Sequence, residues 1–145
     1  MFLQLFYDCH DVSLDFDKVT AILNEDDDVV GTFYCEYEFF KYIYQLEKKA
    51  SSRDGRPVQL CVLSISDENG GKKLSSVMEK LIDCITFSLR SSDVFTRISL
   101  SQYAILIASA TEYNANMIIK RIAKRFKRDN PKITAKITFK LKKIN

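Results

Sequence analysis

The sequence predicts an α+β fold, an antiparallel sheet with helices packed against one face, and three observations carry that prediction. Two long helical patterns are strongly amphipathic. Between them lie two short apolar strands separated by only a few residues. A largely apolar run, Val58 to Ile65, precedes the first of these helices, and an alternating strand follows the second. A chain of 145 residues is long enough to bury a core around one such unit.

The elements follow in order. Leu14, Phe16, Val19, Ile22 and Leu23 recur at helical spacing behind Ser13, which reads as a short helix or linker remnant. The acidic run Glu25 to Asp28 and then Gly31 break that pattern. A second helix carries Tyr37, Phe40 and Tyr44 among Lys41, Gln45 and Lys48, and is expected to end near Ser51 and Ser52 before the turn Arg53-Asp54-Gly55-Arg56-Pro57. Val58 to Ile65 is apolar enough for a strand buried on both faces. Leu74, Val77, Met78, Leu81, Ile82, Ile85 and Leu89 place a helix over Lys72 to Arg90. Val94 to Ile98 and Tyr103 to Ile107 form a β-hairpin across Ser99 to Gln102. Thr111 and Glu112 start a helix with Ala115, Ile118, Ile119, Ile122, Ala123 and Phe126 as its core stripe, and Pro131 lies past its end. Ile133 to Leu141 alternates apolar residues with Thr and Lys as a last strand. Strand, helix, hairpin, helix, strand is the order of a ferredoxin-like α/β sandwich. The division expected is an acidic arm and linker helix over residues 1–33, then one domain over 34–145.

Composition removes several functions. The four cysteines, Cys9, Cys35, Cys61 and Cys84, form no Cys-x-x-Cys pair, and His10 is the single histidine, so neither a disulfide framework nor a metal site is expected, and no cofactor. Adjacent Cys9 and His10 cannot easily face one another as nucleophile and base. Asn69-Gly70-Gly71 with Lys72 and Lys73 is too short to cradle a phosphate. With no apolar run of membrane-spanning length and no basic leader before Asp8 and Asp11, a cytoplasmic protein without a membrane partner is expected. The net charge is +3, but the start is acidic and the stretch from Lys120 to Lys143 is basic. A solvated helix face and a lysine-protected edge strand account for that stretch, and a nucleic-acid-binding module on the helix Lys120 to Arg128 is the alternative.

The segment from Arg90 to Ile107 resembles the signature region of diguanylate cyclases, the GGDEF family: Arg-x-x-Asp at Arg90 and Asp93, a strand ending at Arg97, the hairpin motif, then an apolar strand. Ser99 and Leu100 stand where that motif has two glycines, Ser101 at its acidic metal ligand, Gln102 at its glutamate and Tyr103 at its phenylalanine. Ser64 and Ser66 stand at the acidic positions closing the first strand. The likeness covers about Tyr34 to the C-terminus. It implies a nucleotide-cyclase-like fold whose metal-binding carboxylates are replaced by neutral hydroxyls, and therefore a non-catalytic regulatory domain. It also implies an inhibitory cyclic di-GMP site at Arg90 and Asp93, with a guanidinium for phosphate or the guanine O6/N7 edge and a carboxylate for guanine N1 and N2. Helix-dipole complementation by Arg90 and turn capping by Asp93 form the competing explanation.

Gly31 to Glu47 resembles the segment preceding degenerate GGDEF-like domains in Gram-positive transcriptional activators with a bacterial transcriptional activator domain. The chain then reads as a fragment whose partners are flanking regulatory and DNA-binding domains, with no direct nucleic-acid role. Phe33, Tyr34, Tyr37, Phe39, Phe40, Tyr42 and Tyr44 exceed what one core face needs, and a homodimer or interdomain surface explains them as well as burial beneath the N-terminal arm.

Overall fold

A computed structural model describes residues 16–24, 33–66 and 71–145 of the chain. The chain divides into two compact units, Met1–Val30 and Gly31–Asn145. Helix α1, Phe16–Leu23, belongs to the first, and its Phe16, Ile22 and Leu23 are exposed. Cys9, His10 and Asp67 to Gly70 lie outside the described residues.

The second unit runs β1 (Phe33–Tyr34), α2 (Tyr37–Asp54), β2 (Gln59–Ser66), α3 (Gly71–Ser88), β3 (Val94–Ser99), β4 (Gln102–Ile107), α4 (Glu112–Asp129) and β5 (Lys136–Lys143). The strands form one sheet in the order β1-β3-β4-β2-β5. β2, β3, β4 and β5 are antiparallel to their neighbours, and the two-residue β1 joins parallel to β3. Sequence reading missed β1, whose two residues are too few to show a period. It also began the last strand three residues early, at Ile133 rather than Lys136. Among the described residues no helix is long and apolar enough to cross a membrane.

One face of the sheet carries the larger core. Met78, Leu81 and Ile85 of α3 and Ile119, Ile122 and Phe126 of α4 pack on Cys61, Leu63, Phe95, Tyr103, Ile105 and Ile107, as the helical spacing predicts. The preceding helix α2, to which the sequence assigned no face of the sheet, lies elsewhere. Phe40 of α2 packs with Val58, Val94, Ala104 and Leu106 in a separate cluster. Side chains alternate along a strand, so residues one position away from the first core reach the opposite face. β4 is buried on both faces from Tyr103 to Ile107, whereas β2, expected from the sequence to be buried on both, is not. Cys61, Leu63 and Ile65 are buried under α3 and α4, and Leu60, Val62 and Ser64 on the other face are only half-buried, because α2 covers that face sparsely.

Local signals fix the helix ends. The left-handed Gly55, at φ 75°, closes α2, with its N–H on the Ser51 carbonyl, a conformation that costs glycine nothing. Asp54 accepts from the Arg56 backbone N–H at 2.9 Å and completes the turn into β2. Thr111 caps α4 by accepting from the Asn114 N–H at 3.2 Å.

Candidate functional site

Two places hold the sequence-predicted site residues, and they lie at different parts of the second unit. The first is the β3–β4 hairpin with the end of β2. Ser64 on β2 stands opposite Gln102 on β4. The Gln102 amide donates to Ser64 Oγ at 3.0 Å, and Ser99 Oγ donates to Gln102 Oε1 at 3.1 Å. The Ser101 N–H reaches Ser99 Oγ at 3.3 Å, and the Ser101 carbonyl accepts from the Ile65 N–H at 2.9 Å. The corner is thus a chain of neutral groups satisfying one another, and it offers no anionic oxygen from these residues. Ser66 is exposed and pairs with Lys136 across the strands. Among the described residues no cluster of three or more His, Cys, Asp or Glu gathers that could hold a metal ion.

The hairpin turn is held from outside. Arg97 Nε donates to the Ser99 carbonyl at 3.1 Å and Nη2 to the Leu100 carbonyl at 2.7 Å, while the register shifts between Arg97 and Ser99. Leu100 is 78% exposed at the tip, a branched side chain in open solvent. Tyr103 turns the other way, into the core. Its hydroxyl donates to the Met78 carbonyl at 2.6 Å, and its ring meets Phe95 edge-on at 5.8 Å. Burial first, then the neighbouring Tyr34, pushes the Tyr103 phenol up to about 12.

The second place is the turn after α3. Asp93 is fully buried and its carboxylate gathers the surrounding donors. It accepts from the Arg90 N–H at 3.0 Å, the Ala108 N–H at 3.1 Å and the Arg90 guanidinium at 3.3 Å. Arg90 Nη2 also donates to the Ala108 carbonyl. Asp93 therefore ties the end of α3 to the end of β4 and fixes the Arg90 side chain, which remains half exposed. The resemblance brings both residues to this turn, and the structure gives them unequal positions: a buried carboxylate behind a surface guanidinium.

Beside Arg90 lies an open groove of about 380 Å³ between the end of α3 and the start of α4, lined by Ser88, Arg90, Tyr113, Asn114, Met117 and Arg121 among others. Sequence reading did not connect Arg121, Tyr113 or Ser88 with Arg90. Arg121 Nη1 donates to the Ser88 carbonyl at 3.4 Å, which brings a second guanidinium to the groove. Tyr113 is 73% exposed, and the buried Ser88 Oγ has no hydrogen-bond partner among the described residues. The one sequence signal was Arg121 lying a turn beyond Met117 on the same helix, and it says nothing without knowing that α3 ends against α4.

No protein-family model matches the sequence, and no curated protein sequence matches it. Solved structures share its fold. A DGC protein from Thermotoga maritima superposes with a TM-score of 0.63 at 15% identity, over 76% of this chain and 82% of that one. Diguanylate cyclase SiaD from Pseudomonas aeruginosa, solved in complex with its activator SiaC, gives 0.66 at 14% identity, over 97% of this chain and 60% of that one. The GGDEF domain of TpbB (YfiN) from Pseudomonas aeruginosa gives 0.57 at 15% identity, over 73% of this chain and 69% of that one. The fold of this chain is that of GGDEF domains.

Proposed function

We propose that this chain is a non-catalytic regulatory domain with the GGDEF fold, part of a cytoplasmic bacterial transcription regulator, that acts through protein contacts and through a cyclic dinucleotide bound at the Arg90 groove. The observation that carries the non-catalytic reading is the Ser64–Gln102–Ser99 chain of hydrogen bonds. Where the resemblance calls for carboxylates on divalent metals, these residues supply neutral oxygens already engaged with one another, a poor match for a hard cation beside a polyphosphate. They do not fit a metal-dependent cyclase, and no catalytic step is assigned to them. The SiaD structure, solved with its activator SiaC, supports protein contacts as a mode of action for this fold.

For ligand binding, the groove supports a phosphate-bearing aromatic ligand. Arg90 after α3 and Arg121 on α4 supply the cations, and exposed Tyr113 offers a ring on which a base can stack. Asp93, being buried and engaged, positions Arg90 instead of reading a guanine edge. Calorimetric titration with cyclic di-GMP, beside Arg90→Ala and Arg121→Ala variants and a GTP control, tests this reading. Micromolar binding weakened at least about tenfold by either variant is expected. No heat with either nucleotide would leave protein contacts as the function.

The second reading, a nucleic-acid module, rests on Lys120, Arg121, Lys124, Lys127 and Arg128, all exposed on α4. Binding of that kind collapses steeply with added salt, whereas a base-reading groove still separates cyclic di-GMP from cyclic di-AMP at moderate ionic strength.

A further inference from the structure

β5 closes the sheet on the side away from β1, and its eight residues pair with β2 without a break in register. A long, regular edge strand is a template for another strand. Which of its peptide groups point outward follows from one hydrogen bond. The Ile144 N–H donates to the Val58 carbonyl, and Lys143 lies opposite Gln59. Hydrogen-bonded pairs alternate from there. Lys142, Lys140, Thr138 and Lys136 thus turn their peptide groups toward β2, and Leu141, Phe139 and Ile137 turn theirs outward.

The side chains alternate in step with this. Lys136, Thr138, Lys140 and Lys142 are exposed on one face of β5, while Ile137, Phe139 and Leu141 are half-buried against the core under α3 and α4. A strand added to the edge would place a residue opposite each lysine at a non-hydrogen-bonded position, where paired Cβ atoms come closest. Its residues opposite Ile137, Phe139 and Leu141 would extend the apolar row. Lysines at such an edge repel basic strands and strand a neutral apolar one against charge, so the same residues that deter indiscriminate pairing select for carboxylates.

We infer that the outer edge of β5 docks an extended segment of a partner protein in which acidic and apolar residues alternate, added to the sheet as a further strand. Charge complementarity along Lys136, Lys140 and Lys142 sets the acidic positions, and the outward peptide groups at Ile137, Phe139 and Leu141 set the register.

The probe is the free heptapeptide Asp-Val-Ser-Leu-Asp-Phe-Asp, whose sequence is that of residues 11–17 and which carries the required alternation. It is titrated into the isotope-labelled full chain and followed by amide shifts and hydrogen exchange. Slowed exchange at Ile137, Phe139 and Leu141 is expected, with about tenfold weaker binding to Lys140→Glu. N-methylation of the peptide at alternate amides is the decisive control, because one set must abolish binding and the other must leave it intact. Equal binding of both methylated sets, equal binding of a scrambled peptide of the same composition, or no binding up to about 1 mM at low salt would overturn the proposal.

Discussion

Asp93 is the residue whose environment says most about its role. Its buried carboxylate satisfies the Arg90 and Ala108 N–H groups at once, so Asp93→Ala leaves buried donors without a partner and is expected to cost about 3 kcal/mol in denaturant unfolding. Asp93→Asn keeps an acceptor and should cost less. Tyr103→Phe removes the hydrogen bond to the Met78 carbonyl while keeping the ring packing, and a loss of about 1 to 2 kcal/mol is expected in the same assay. Cys61 is fully buried, and burial pushes its thiol up to about 12. It should stay unreactive toward a thiol reagent at pH 8 in the folded chain, and labelling at the rate of unfolded protein would contradict its place in the core.

At the scale of elements, α3 and α4 are amphipathic helices whose positions the periodicity of the sequence already fixes, whereas α2 is attached by much less. Phe40 is its one large buried side chain, and the rest of its apolar residues are half-buried or exposed, Tyr37, Phe39, Tyr42 and Leu46 among the exposed. Phe40→Ala is expected to destabilise by about 3 to 5 kcal/mol and to loosen α2 before the sheet, seen as faster amide exchange in α2 than in α3. Thr111→Ala removes the cap of α4 and should cost about 1 kcal/mol.

Across the whole molecule, buried acids make stability fall at alkaline pH: burial raises the Cys35, Cys61 and Cys84 thiols and the Tyr103 phenol, Cys61 and Tyr103 the furthest. The Cys61 thiol and the Tyr103 phenol are both raised to about 12, from ordinary values of 9.0 and 10.0. A raised pKa means that the folded chain holds the proton more tightly than the unfolded chain does. Stability from these groups is complete below pH 9 and falls as pH rises from there toward 12, first through Cys61 and then through Tyr103. Thermal unfolding followed from pH 8 to 11 should show a declining midpoint above pH 9, and a Cys61→Ala, Tyr103→Phe double variant should make that decline shallower. Cys61 and Tyr103 both lie on the sheet face covered by α3 and α4, and that cover is what makes the two groups inaccessible.

The sequence by itself determined the α+β class, the positions of α3, α4 and the hairpin, and the neutral residues at Ser64, Ser66, Ser101 and Gln102. Periodicity, turn chemistry and side-chain type are properties of short stretches and need no knowledge of what lies across the fold. Only the tertiary structure decided that α2 covers the opposite face through Phe40, that β1 pairs parallel to β3, and that Arg121 joins Arg90 beside one groove. It also decided that Asp93 is buried behind Arg90. Each of these depends on which residues distant in sequence meet, and burial arises from packing on all sides of a group, which no local pattern encodes.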